Sequence, residues 1–157
     1  MVSEVEYKRK FLVLIDETEE CDRALTFAAW RVKRTGGTVV LMSVVPQPEF
    51  IGLGVEDVLR AEAVEEAERN LDLRLARIRE IGGVRSETVV REGSGAEQLE
   101  AVIAADQDIA ILVLAASKSS EGPGPLVTHF ASRAHVLPIP LTIVPGRMSD
   151  DEIIAIC

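Results

Sequence analysis

Aromatic residues are scarce in this chain of 157 residues, at 4%, although hydrophobic residues make up 47%. The hydrophobic core must therefore consist of Val, Ile, Leu and Ala, the residues that fill parallel β-sheets covered by helices on both faces. A chain of this length suits one domain built around one core. We therefore expect an α/β fold and a single domain over residues 1–157.

Positive charge is also in short supply, because the formal net charge is −9 and the isoelectric point is near 4.8. Such a surplus of negative charge disfavours binding to nucleic acids and to anionic membranes. No apolar run approaches the roughly 20 residues that span a bilayer, and the first ten residues lack the apolar stretch of a secretory signal. We expect a cytoplasmic protein with neither nucleic acid nor membrane as a partner.

Cysteine and histidine are too few and too scattered to form a recognisable metal or catalytic site. The two cysteines, Cys21 and Cys157, have no metal-ligand spacing, and we expect them to be reduced thiols. His129 and His135 lie on a predicted helix, but their spacing differs from the i, i+4 pair that binds zinc. The chain also lacks a nucleophile elbow and a plausible Ser-His-Asp arrangement. We expect neither a metal site nor catalysis.

Five apolar or half-apolar strands alternate with helical patterns along the chain. Crossovers that contain a helix are right-handed and join parallel strands, so we expect a five-stranded parallel doubly wound sheet with strand order 3-2-1-4-5 and helices on both faces. The predicted elements are β1 at about 10–16, a helix to about Arg34, β2 at Thr38–Val45, a helix at about 56–81, an edge strand β3 at Ser86–Arg91, a helix opened by the capping box Ser94–Glu97, β4 at 109–115, a helix beginning at Pro125, and β5 at Pro140–Val144.

Several finer features can also be predicted. Thr18 is a plausible N-cap for the first helix, and Ser149 for a short helix in the tail 147–157. The charged face of the long helix, which includes Arg74 and Arg77, is typical of a solvated surface. The loop 49–54 carries three exposed-looking apolar residues, Phe50, Ile51 and Leu53.

The carboxyl edge of the sheet is the predicted ligand site, because the strand order reverses between β1 and β4. Asp16, at the tip of β1, can accept hydrogen bonds from a ribose hydroxyl or an adenine amine, or can be a capping or solvated Asp. The loop 116–124 is rich in small and hydroxyl residues, contains Lys118, and leads into a helix N-terminus that attracts phosphate. It lacks the Gly-Lys-Ser/Thr of a Walker A loop, and an ordinary surface turn explains Gly-Pro-Gly-Pro equally well.

The chain resembles the universal stress protein family from about Lys8 to Gly146. The resemblance rests on the Leu-Ile-Asp16 ending of β1, on Met-Ser-Val-Val45-Pro at the end of β2, and on the segment Leu137–Pro145. It implies an α/β sheet of the same strand order, usually in a dimer, in a family of which one branch binds ATP and another does not. It also implies a homodimer formed through the last strand, Pro140–Val144, which is apolar enough for a bare edge to invite association.

In the ATP-binding branch, the adenosine lies against residues that match Asp16 and Val44, and the phosphates lie on a β4 loop of pattern Gly-x2-Gly-x9-Gly-Ser/Thr. This chain departs from that pattern, because the glycines fall at Ala115, at or beside Lys118, and at Val127 or Thr128. A Cβ obstructs approach of the backbone to phosphate, although the charge of Lys118 is able to compensate. The resemblance thus implies a site for ATP, accompanied by Mg²⁺, at Leu14, Asp16, Val44, Ala115, Ser117, Lys118, Val127 and Thr128.

Three hypotheses about function follow from these observations. The leading one is a stress-response module that binds an adenine nucleotide and has no catalytic activity. The alternative is a dimeric interaction protein with a vestigial crevice, which acts through its dimer face and the loop 49–54. A slow ATP hydrolase is the third, although no base or nucleophile is evident. Only the first hypothesis requires ATP to protect the fold and Asp16→Ala and Lys118→Ala to abolish binding.

Overall fold

A computed structural model describes residues 9–48, 52 and 54–157. The strands form one parallel sheet in the order β3-β2-β1-β4-β5, which confirms the predicted topology. The elements are β1 (Lys10–Leu14), α1 (Cys21–Thr35), β2 (Thr38–Val45), α2 (Val55–Ile81), β3 (Arg85–Glu92), α3 (Gly95–Ala105), β4 (Ile109–Ala116), α4 (Pro125–Ser132), β5 (Leu141–Pro145) and α5 (Asp150–Ile156).

The sheet separates two hydrophobic cores, because successive side chains of a strand point to opposite faces. Phe11 and Val13 of β1 lie in a core shared with α1, α2 and α5. Leu12, between them, lies in the second core, which is shared with α3 and α4. Both faces of β1 are therefore covered, as expected for a central parallel strand. β3 lies at an edge and is largely exposed, as its polar sequence predicts.

The predicted N-cap of α1 is wrong. Glu20 occupies that position, and its side chain makes no capping hydrogen bond. Thr18 instead donates both its amide and its hydroxyl to Asp16 Oδ1, because an Asp two residues earlier competes for the same short-range donors. The end of α1 is as predicted: the helix stops at Thr35, and Gly36 adopts a φ of 87° that favours glycine.

Other boundaries move by a few residues or lose part of a predicted motif. β1 ends at Leu14, so Asp16 follows the strand rather than closing it. Ser94 accepts a hydrogen bond from the Glu97 amide, which is one half of the predicted capping box. α4 ends at Ser132, so His135 lies outside the helix on which it was predicted.

The expectation of a solvated charged face on α2 is wrong for two arginines. Arg77 donates to Thr26 and to Asp150, with its Nη2 2.8 Å from Asp150 Oδ2. Arg74 pairs with Asp22 at 3.2 Å between Nε and Oδ1. Long guanidinium side chains can reach across to neighbouring helices in this way, so the face ties α2 to α1 and α5.

The C-terminal tail forms the predicted helix, α5, and a full capping box joins Ser149 and Glu152. Ile153 is completely buried in the core beside α1. The tail is therefore an integral part of one face of the sheet.

The predicted exposed residues of the loop 49–54, Phe50, Ile51 and Leu53, lie outside the residues that the structure describes. Within the described part of the chain, no helix combines the length and the apolar character needed to cross a membrane.

Candidate functional site

The candidate site is a crevice at the carboxyl edge of the sheet, where β1 and β4 are neighbours but lead to different faces. β1 pairs with β4 in parallel, and the chain then continues into α1 on one face and α4 on the other. Two connections that diverge in this way leave a gap between them. The predicted switch point is therefore present in the structure.

The crevice contains a cavity of about 340 Å³ with mainly apolar walls. Five of the residues predicted for the site line it, and they come from both sides of the gap. These five are Leu14, Asp16, Ala115, Ser117 and Val127. Leu114 of β4, the residues Thr18, Glu20 and Cys21 around the start of α1, and the segment 123–126 complete the lining.

Asp16 stands at the entrance of this cavity with an exposed carboxylate. Its Oδ1 accepts from the amide of Thr18 at 2.8 Å and from the hydroxyl of the same residue at 2.5 Å. These bonds fix the orientation of the carboxylate, while Oδ2 has no protein donor among the described residues. The side chain can therefore accept a hydrogen bond from a ligand without losing its own support.

Val44 lines a second cavity, of about 460 Å³, at the end of β2. This cavity shares Asp16 and Thr18 with the first, so the carboxylate separates the two. Val44 and Asp16 thus share this second cavity, whereas Ala115 and Val127 line the first.

The loop after β4 is held in shape by its own hydrogen bonds. The Ser117 amide donates to the carbonyl of Pro123 at 2.9 Å. The amides of Ser119 and Glu121 donate to the hydroxyls of Ser117 and Ser119, and the Gly122 amide donates to the carbonyl of Ser119. Four amides of the loop are therefore engaged within the loop itself.

Lys118 and Thr128 do not line the main cavity. Lys118 Nζ lies 3.8 Å from Glu19 Oε2, in an ion pair whose side chains are 52% and 90% exposed. Thr128 lines an outer cavity of about 610 Å³ together with Ser117 and His129, and its hydroxyl donates to the Gly124 carbonyl at 2.9 Å. Both residues lie at the rim of the crevice.

Gly146, just after β5, packs closely against the loop after β4 and against Glu20 at the start of α1, and it was not among the residues selected from the sequence. A Cβ at this position would overlap the carbonyl oxygen of Ala116 and lie 2.8 Å from Cγ of Glu20 and 3.4 Å from the amide nitrogen of Lys118. Glycine is therefore needed for the close approach of β5 to the loop after β4. The dipeptide Pro145-Gly146 indicates a turn in the sequence, but it does not indicate this close contact.

Cys21 also lines the main cavity, next to Asp16. Burial raises the pKa of its thiol, although the hydrogen bond to the Asp16 carbonyl and the charge of Arg74 oppose this effect. A thiol with a raised pKa is a poor nucleophile at neutral pH. The described residues also contain no group of three or more His, Cys, Asp or Glu side chains able to hold a metal ion.

A family model described as "Universal stress protein family" matches residues 8–145 of this chain. The match covers both strands that flank the crevice and all five strands of the sheet. The chain belongs to the universal stress protein family. α5, with Asp150, lies beyond the matched region, whereas the partners of Asp150 on α1 and α2 lie within it. No curated protein matches the sequence at a significant level.

Three solved structures illustrate how closely this universal stress protein follows the fold of its family. UspA from Lactobacillus plantarum is 17% identical, with a TM-score of 0.72 and coverage of 88% of this chain and 97% of that one. A universal stress protein in complex with cAMP is 16% identical, with a TM-score of 0.66 and coverage of 88% and 97%. A family protein from Arabidopsis thaliana with AMP bound is 16% identical, with a TM-score of 0.63 and coverage of 91% and 94%.

Proposed function

We propose that this universal stress protein binds an adenine nucleotide in the crevice between β1 and β4 and acts as a stress-response module without catalysis. The observation that carries the proposal is the pairing of a mainly apolar cavity with one oriented, exposed carboxylate at its entrance. An adenine base fits apolar walls, and a ribose presents hydroxyl donors to a carboxylate. Two family members of the same fold are complexes with cAMP and with AMP.

Each predicted site residue has a role in this proposal. Leu14, Ala115 and Val127 supply apolar walls, and Val44 bounds the neighbouring cavity. Asp16 accepts from the ribose or the base. Ser117 and Thr128, which line the outer cavity, and Lys118 beside it would face the phosphates. ATP accompanied by Mg²⁺ is the ligand that the family resemblance supplies for this arrangement.

The proposal extends to the setting in which the protein works. We take residues 1–157 as one domain, located in the cytoplasm. Cys21 and Cys157 are both unpaired thiols, which is typical of a reducing compartment. A homodimer through β5 is part of the proposal, because Ile143 of this edge strand is 39% exposed. The same edge supports the alternative function of a dimeric interaction protein.

Thermal unfolding with AMP, cAMP, ATP and ATP plus Mg²⁺ tests the proposal. A ligand that binds only the folded state at about 100 times its Kd raises the midpoint by roughly 5 °C or more in a domain of this size. Asp16→Asn preserves an acceptor for Thr18 but replaces the free oxygen by a donor, so it should weaken binding roughly tenfold or more.

The matched control is Asp72→Asn, which removes an exposed carboxylate on α2. It should leave every ligand-induced shift unchanged. If no adenine ligand raises the midpoint at millimolar concentration, the nucleotide-binding proposal is wrong and the interaction protein takes its place. Phosphate release from ATP above a protein-free control would contradict the absence of catalysis.

A further inference from the structure

The charged side chains that surround the crevice are mostly carboxylates. Asp16 and Glu20 line the main cavity, and Glu121 lines the outer one. No lysine or arginine among the described residues lines either cavity. A phosphate chain that extends out of the crevice therefore meets charges of its own sign.

The cations nearest to the crevice in sequence do not offset these carboxylates. Lys118 is already paired with Glu19. Arg147, next to Gly146, is exposed and lines neither cavity. His129, on the outer cavity, is 3.4 Å from Glu100 through its Nε2. A bound polyphosphate would have to compete with Glu19 for Lys118 and with Glu100 for His129.

The backbone of the loop offers little compensation. Four of its amides, those of Ser117, Ser119, Glu121 and Gly122, donate within the loop, and Pro123 has no amide hydrogen. The amide nitrogen of Lys118 lies against Gly146. The amides of Leu126 and Val127 in the first turn of α4 have no acceptor within the loop, so they can serve one phosphate, whereas a triphosphate needs several backbone donors in addition to a cation.

From these observations we infer that the crevice selects its adenine ligand by charge and takes adenosine and its monophosphates in preference to ATP. This inference rests on the proposed function, since it names the ligand class of the same site. ATP carries roughly two more negative charges than AMP, and in the proposed site those charges would extend towards Glu20 and Glu121. The same carboxylates do not repel an uncharged nucleoside, because it brings no negative charge near them.

Isothermal titration of the full chain with adenosine, AMP and ATP, each in EDTA at low salt, tests the inference. We expect Kd for ATP to be at least roughly tenfold higher than Kd for adenosine or AMP. The ratio should fall as salt rises, because exposed charges are screened over about 10 Å at 0.1 M. With Mg²⁺ the ratio of the two Kd values should narrow, because the metal ion offsets part of the negative charge of ATP.

A double substitution, Glu20→Gln and Glu121→Gln, tests the cause. It should lower the ratio of Kd for ATP to Kd for adenosine several-fold. Glu80→Gln, which removes an exposed carboxylate at the far end of α2, should leave the ratio unchanged. The salt series on the unaltered protein tests the same cause if the double variant does not fold.

The outcomes separate this inference from the proposed function. ATP binding as tightly as AMP would overturn the inference and leave the nucleotide site standing. Weak ATP binding that neither salt nor the double substitution changes would overturn the electrostatic cause. If no adenine ligand binds at all, the proposed function fails and the inference fails with it.

Discussion

At Gly146, a single added methyl group would disturb the contact between β5 and the loop after β4. Its Cβ would meet the carbonyl oxygen of Ala116, a rigid backbone atom, as well as Glu20 Cγ at 2.8 Å. We predict that Gly146→Ala lowers the free energy of unfolding by about 1–3 kcal/mol, the usual cost of overpacking. Urea unfolding at pH 7 measures the change.

Gly95→Ala provides the matched control for this prediction. Gly95 is the first residue of α3, and its added Cβ would lie in ordinary contact with Leu126 at 3.4 Å. Alanine favours a helix over glycine, so this variant should be neutral or slightly more stable. If Gly146→Ala is as stable as the control, the contact between β5 and the loop after β4 can shift to accommodate a methyl group, and the prediction is wrong.

The residues of the site could be predicted from the sequence only as far as local pattern determines them. The carboxyl edge position of Asp16 followed from an apolar run ending in an acid. Thr18 donates to Asp16 and is therefore not the N-cap of α1 that was predicted. This arrangement depends on the turn that the chain adopts after β1, which no local pattern specifies. The pairing of Lys118 with Glu19 joins residues distant in sequence, so no local pattern revealed it.

The docking of helix α5 involves a cluster of charged side chains. Asp150 accepts from Arg23 at 2.5 Å and from Arg77 at 2.8 Å. Burial raises the pKa of Asp150, but the hydrogen bond from Arg23 and the charges of Arg77 and Arg23 outweigh it, so the pKa lies below its ordinary value. The folded state therefore favours the ionised carboxylate.

We predict that Asp150→Asn lowers the free energy of unfolding by about 1 kcal/mol at pH 7, since the pair is partly exposed and solvent screens it. A carboxyl whose pKa is lowered by folding stabilises the protein above its unfolded pKa. That contribution is lost as pH falls through the lower folded value. The difference in the free energy of unfolding between the unaltered protein and the variant should therefore shrink as pH falls below about 4, the ordinary pKa of an Asp.

Asp151→Asn is the control, because Asp151 is the exposed neighbour on the same turn of α5. Urea unfolding at pH 7 should show a change below about 0.5 kcal/mol for this variant. Equal losses for the two variants would mean that the pairs of Asp150 with Arg23 and Arg77 do not stabilise the docking of α5. The strands and helices could be predicted from the periodicity of apolar residues in the sequence. The network of Arg23, Arg77 and Asp150 could not, because its residues lie on three different helices and far apart in sequence.

For the whole molecule, the two edges of the sheet differ in character. The β3 edge is polar and charged along Arg85–Glu92, which discourages pairing with another strand. The β5 edge is apolar, and Ile143 on it is 39% exposed. The net charge of −9 opposes association of two copies through mutual repulsion. Apolar pairing at β5 must outweigh this repulsion for the proposed homodimer to form.

We predict a homodimer of about twice the 17.1 kDa chain mass in light scattering after size exclusion, more complete at high salt because salt screens the repulsion. Ile143→Lys should yield a monomer, because it places a charge on the pairing edge. Leu73→Lys, which alters an exposed leucine on α2, should leave the dimer intact. A monomer at every protein and salt concentration would contradict the proposed homodimer. A dimer that persists in Ile143→Lys but is lost in Leu73→Lys would show that the contact is not formed by β5.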